Sequence, residues 1–112
     1  MSRLLAAALA LSALVLPACQ RPTPEQCDHI CWRVNELGYW ERFENEARSL
    51  APDARAALKA EWDKRWTEGR NKQTLDTGLD NCVKECRRAA HPDDVACVDR
   101  ATTFAAAQAC LQ

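Results

Sequence analysis

A chain of 112 residues with a formal net charge of −1 has room for one domain, and its near-neutral balance excludes the basic face that nucleic-acid binding needs. Three scattered glycines exclude a phosphate-cradling glycine loop. Seven cysteines in so short a chain point to a cross-linked fold in an oxidising compartment.

The first 18 residues read as a secretory signal. Met1-Ser2-Arg3 is a short basic start, and Leu4 to Leu16 is an apolar run broken only by Ser12. That run is shorter than the roughly 20 residues a bilayer span requires, and a small residue, Ala18, precedes Cys19. Leu16-Pro17-Ala18-Cys19 resembles the lipobox of bacterial lipoprotein precursors. The resemblance implies cleavage before Cys19 and acylation of that cysteine. It divides the chain into a signal peptide (1–18), a lipidated tether (19–24) and a Cys-rich α-helical domain (25–112). Gln20 stands where an Asp retains enterobacterial lipoproteins at the inner membrane, which implies outer-membrane sorting. With Arg3 removed in the leader, 14 basic residues face 16 acidic ones, so no polybasic segment adds a grip on anionic lipid.

Gln20 to Pro24 carries two prolines, and the expectation is an extended tether. From Glu25 the residues Cys27, Ile30, Cys31, Val34 and Leu37 recur at three and four, an apolar helical stripe. Gly38 either ends this helix or weakens it by about 1 kcal/mol, and Tyr39 to Arg48 still reads as helix. Pro52 followed by Asp53 marks a second start. Its stripe is Ala54, Leu58, Trp62 and Trp66, ending near Gly69. Leu75, Leu79, Cys82, Cys86 and Ala89 continue a helical spacing; alternatively Thr77 caps a helix beginning at Gly78. His91-Pro92 opens another helix, and Thr102 or Thr103 caps a last one, Phe104 to Cys110. There is no strand signal. The fold expected is an all-α, disulfide-stapled bundle of four or five helices.

The bundle is organised on Cys27-x-x-x-Cys31 and Cys82-x-x-x-Cys86. On a helix, residues four apart share a face. Setting Cys19 aside leaves six cysteines, which permit 15 connectivities. Two helices packed antiparallel would pair Cys27 with Cys86 and Cys31 with Cys82; a parallel pair would join Cys27 to Cys82 and Cys31 to Cys86. The antiparallel form is the reading adopted, with Cys97–Cys110 as a third bond closed by a turn near Ala101 to Thr103. The competing chemistry is a metal held by four thiolates, but zinc ligand runs are usually CxxC on a loop knuckle. The redox motif CxxC and the haem motif CxxCH are both missing. The twin motif resembles the CX3C helical hairpins of small intermembrane-space translocase chaperones and of some plant antimicrobial peptides, with about 50 residues between the motifs here. That resemblance implies a hairpin geometry and no particular activity.

All four tryptophans lie between Trp32 and Trp66. Trp32, Tyr39, Trp40, Phe43, Trp62 and Trp66 either fill a core or form an aromatic surface for a peptide, glycan or lipid. Tyr39 and Trp40 are adjacent, so they cannot both face one way on a helix. His29 falls off the cysteine face, and His91 sits at a helix boundary. No serine has a base and an acid at motif spacing, so nothing points to an enzyme, a cofactor or a metal. The functional expectation is an envelope module anchored by its lipid, structural or binding in role, with an unidentified envelope protein as a candidate partner. The alternatives are a periplasm-facing chaperone or carrier for apolar segments or lipid, and a thiol-redox or metal-binding protein.

Overall fold

A computed structural model describes residues 21–72 and 77–112, with the side chain of Thr77 outside that description. Among the described residues there are five α-helices and no strand: α1 (Pro24–Ala47), α2 (Pro52–Lys72), α3 (Thr77–Ala89), α4 (Pro92–Arg100) and α5 (Phe104–Cys110). The lipobox, Cys19 and Leu75 lie outside the described residues.

α1 starts at Pro24, one residue before the expected Glu25. Thr23 Oγ1 accepts from the Gln26 N–H at 3.1 Å, and the Gln26 side chain accepts from the Thr23 N–H at 2.8 Å. This reciprocal box satisfies two donors that a helix start leaves open. Pro24 takes the first helical position, where its missing N–H costs nothing. Pro24, the expected end of the extended tether, therefore belongs to the helix, with the extended Thr23 as its cap. The helix then runs 24 residues, about 36 Å at 1.5 Å per residue.

α1 is the spine. α3, α4 and α5 pack on it, α4 also packs on α5, and among the described residues α2 packs on α1 alone. Two separate cores result. The first gathers Cys27, Ile30, Cys31, Leu79, Cys86, Val98, Ala101 and Ala107. The second gathers Tyr39, Phe43, Ala47 and Trp62 at the other end of α1. Three disulfides staple the first core: Cys27–Cys86, Cys31–Cys82 and Cys97–Cys110, with Cα separations of 5.6, 5.8 and 5.7 Å. Outer pairs with outer and inner with inner, which sets α1 and α3 antiparallel.

α2 runs to Lys72 rather than stopping at Gly69, and Arg70 and Lys72 in its last turn favour the negative end of the helix dipole. Trp62 is its one buried residue among those described, with Leu58 and Trp66 partly buried against the same core. Ala54, expected on that stripe, is exposed; Arg55 covers this end instead, its guanidinium 5.3 Å from the Phe43 ring centroid and 2.6 Å from Glu44. On α3, Leu79 and Cys86 are buried and Cys82 half-buried, while Ala89 at the helix end is exposed. The chain turns at His91, whose N–H is accepted by the Asp94 carboxylate at 2.8 Å. Thr103 caps α5 through Oγ1 and the Ala106 N–H at 3.1 Å.

Candidate functional site

One stripe of α1 faces α3 and α5 without being filled by them. It consists of Cys31, Val34, Asn35, Gly38 and Arg42, spaced at three and four like the cysteine stripe it continues. A cavity of about 230 Å³ opens there, closed by Leu79 and Cys82 from α3 and by Phe104 and Gln108 from α5. A second cavity of about 500 Å³ shares Val34, Cys82 and Gln108 with the first. It continues along Cys86, Ala89 and Ala90 to Leu111 and Gln112. Together they form a groove whose floor includes the Cys31–Cys82 disulfide.

Gly38 explains how α5 closes the groove. A Cβ there would sit 3.0 Å from Cδ2 and Cε2 of Phe104, so glycine lets the ring lie on the α1 backbone. The glycine that reads in the sequence as a helix weakener is a contact point.

The polar groups of the groove differ at its two ends. Near Gly38, the Asn35 Nδ2 is buried and meets no acceptor. Arg42 forms no ion pair or hydrogen bond among the described residues; its guanidinium stands 6.0 Å from the Tyr39 ring centroid. At the far end the charged groups are two carboxylates, Glu85 and Asp94, beside the Gln112 amide, and both carboxylates are engaged. Glu85 accepts from Arg88 at 2.7 Å, and the hydrogen bond and charge of Arg88 hold its carboxyl below the ordinary value. Asp94 is occupied by the His91 N–H.

The six aromatic residues do assemble, but on the α1–α2 seam. Tyr39 lies 4.8 Å from Trp62 and 5.1 Å from Trp66, Phe43 lies 5.6 Å from Trp62, and Trp32 meets Trp66 edge-on at 6.0 Å, all between ring centroids. The Tyr39 hydroxyl donates to the Trp62 carbonyl at 2.6 Å. Tyr39, Phe43 and Trp62 are buried, so these three are core and not surface, and Leu58 and Trp66 add partly buried apolar contact along the same seam. Trp32, Trp40 and Trp66 are half-buried. Arg70 covers Trp32 at 4.8 Å and Lys59 covers Trp40 at 5.2 Å, contacts that draw a cation to an aromatic face. The Trp62 indole N–H is buried with no acceptor among the described residues.

The remaining candidates are dispersed. His29 Nε2 meets Asp99 Oδ1 at 2.7 Å on the surface, joining α1 to α4. Among the described residues no group of three His, Cys, Asp or Glu side chains is placed to hold a metal ion, and no helix is long and apolar enough to cross a membrane. The sequence reading missed the groove. Its one visible signal was Asn35, an amide on a stripe otherwise continuing from Cys31 and Val34. No protein-family model, curated protein or solved structure matches the chain.

Proposed function

We propose that this chain is a lipid-anchored module of the bacterial cell envelope that works by binding rather than by catalysis. The observation that carries the reading is the cysteine arithmetic. Six of seven cysteines pair with one another, and the odd one, Cys19, is the residue that resembles a lipobox acceptor. Complete pairing also favours an oxidising compartment. Gln20 directs the anchored protein to the outer membrane, with the lipid as its contact to the bilayer and an envelope protein as a candidate partner. Membrane fractionation tests this: wild-type protein should sediment with membranes, and Cys19→Ser should be released or remain uncleaved. Equal membrane partition of both, with normal processing, would remove the anchor from the reading.

A second reading is favoured by the groove. Two adjoining cavities lined largely by apolar side chains suit a carrier for lipid or an apolar segment. Binding of a hydrophobic fluorescent dye that the native ligand displaces would support it. The thiol-redox and metal reading has less support, since it needs free thiolates and the six cysteines of the domain are paired.

A further inference from the structure

We propose that the groove between α1, α3 and α5 binds a free fatty acid, with its carboxylate at Asn35 and Arg42 and its chain along Cys82, Cys86, Ala90 and Leu111. This deepens the binding-module reading by naming a ligand class, and it does not depend on the lipid anchor.

The polarity of the groove decides the orientation. A carboxylate offers lone pairs and no donor. At the Gly38 end Asn35 lines the cavity, and its amide nitrogen, buried without an acceptor among the described residues, needs a side-chain rotation to reach a carboxylate; Arg42 beside it has no carboxylate partner among the described residues. Arg42 is exposed at the rim, so its guanidinium can turn from Tyr39 toward the cavity without unpacking the core. At the other end Glu85 and Asp94 would repel an anionic head, and their own partners leave them no need of one. A cationic amphiphile meets the reverse: among the described residues no acceptor side chain lines the Gly38 end except the amides of Asn35 and Gln108.

Size decides the shape of the ligand. The head cavity, about 230 Å³, falls below the range that drug-sized ligands fill, so it admits a small head. The adjoining 500 Å³ is lined by α3 from Cys82 to Ala90, past both of its disulfides, and by Leu111 and Gln112 beyond α5. A single alkyl chain fits that form. The burial of such a chain drives binding, and the head supplies orientation.

The test uses the full chain in its native membranes with dodecanoate carrying a terminal diazirine. After irradiation, the label should map to peptides bearing Cys82 to Ala90 and Gln108 to Gln112. Excess dodecanoate should abolish labelling, while dodecyltrimethylammonium at the same concentration should leave it. Arg42→Gln should weaken competition by dodecanoate roughly tenfold, the loss expected for one charge-assisted hydrogen bond. Arg42 is a surface side chain, so this variant keeps the fold; Asn35→Leu, which removes the orphaned amide, should weaken competition while leaving the helical signal unchanged. Label confined to α2 or to the leader would overturn the proposal. So would equal displacement by the cation or by dodecanol, or displacement by a short-chain phospholipid but not by dodecanoate. Loss of the anchor would show in membrane fractionation and not in the label map, so the two readings fail separately.

Discussion

The ring of Phe104 rests on Gly38, so close that a Cβ at residue 38 would stand 3.0 Å from two of its carbons. Replacing glycine by alanine inside a helix ordinarily gains about 1 kcal/mol. Here Gly38→Ala should lose that gain and lower the melting temperature, because Phe104 sits on a short helix clasped by Cys97–Cys110 and has little freedom to retreat. In a Phe104→Ala background the same change should stabilise. Additive effects in this double-mutant cycle would mean that the two residues do not press on each other.

The aromatic seam predicts an unequal scan. Phe43 is 1% exposed, and Phe43→Ala should cost about 3–5 kcal/mol in urea unfolding. Trp40→Ala, at a half-buried ring under Lys59, should cost clearly less. Comparable losses at both positions would contradict the division into core and surface aromatics.

Tyr39 is the chain's one tyrosine, which makes its phenol directly observable by absorbance. Burial raises its pKa above the ordinary 10.0, with Arg65 and Arg42 partly offsetting the rise. The unfolded phenol therefore loses its proton at a lower pH than the folded one. The stability linked to Tyr39 is fully present below about pH 10 and is lost as pH rises from there through the folded pKa. A rapid alkaline titration should show a midpoint above 10 that drops to about 10 in denaturant. Tyr39→Phe should remove this pH dependence and, with the hydrogen bond to Trp62, about 0.5–1.5 kcal/mol.

The three disulfides should yield to reductant in order. Cys27 and Cys86 are 0% and 4% exposed, whereas Cys97 and Cys110 are both half-buried. Mild dithiothreitol should open Cys97–Cys110 first and Cys27–Cys86 last, since a buried bond must wait for local opening. In the chain-entropy model the Cys27–Cys86 bond, with a sequence separation of 59, is worth roughly 4 kcal/mol. Its loss should remove most of the helical circular dichroism at moderate temperature. A fully reduced protein with an unchanged melting point would contradict a stapling role.

Much of this fold was legible because its signals are local. The i,i+4 cysteines set the face and, with antiparallel packing, the pairing; Pro52, Pro92 and Thr103 mark helix starts through chemistry that acts within one turn. The groove was not legible, because it depends on which helix fails to fill the stripe from Cys31 to Arg42. That is a property of three packed elements, and α5 reaches it only through the missing Cβ of Gly38. The aromatics were ambiguous for a similar reason. A ring between two helices and a ring on one helix have the same spacing, and only the placement of α2 on α1 separates Phe43 from Trp40.

Six cysteines staple the helical domain, and acylation of the odd one, Cys19, is the central proposal. Intact and non-reducing peptide mass spectrometry of the membrane-extracted full-length gene product tests both at once. The predicted result is a mature chain beginning at acylated Cys19, no free thiol, and Cys27–Cys86, Cys31–Cys82 and Cys97–Cys110 as the linked peptides. A chain that begins elsewhere without lipid mass, or one that carries free thiols among the six, would contradict it.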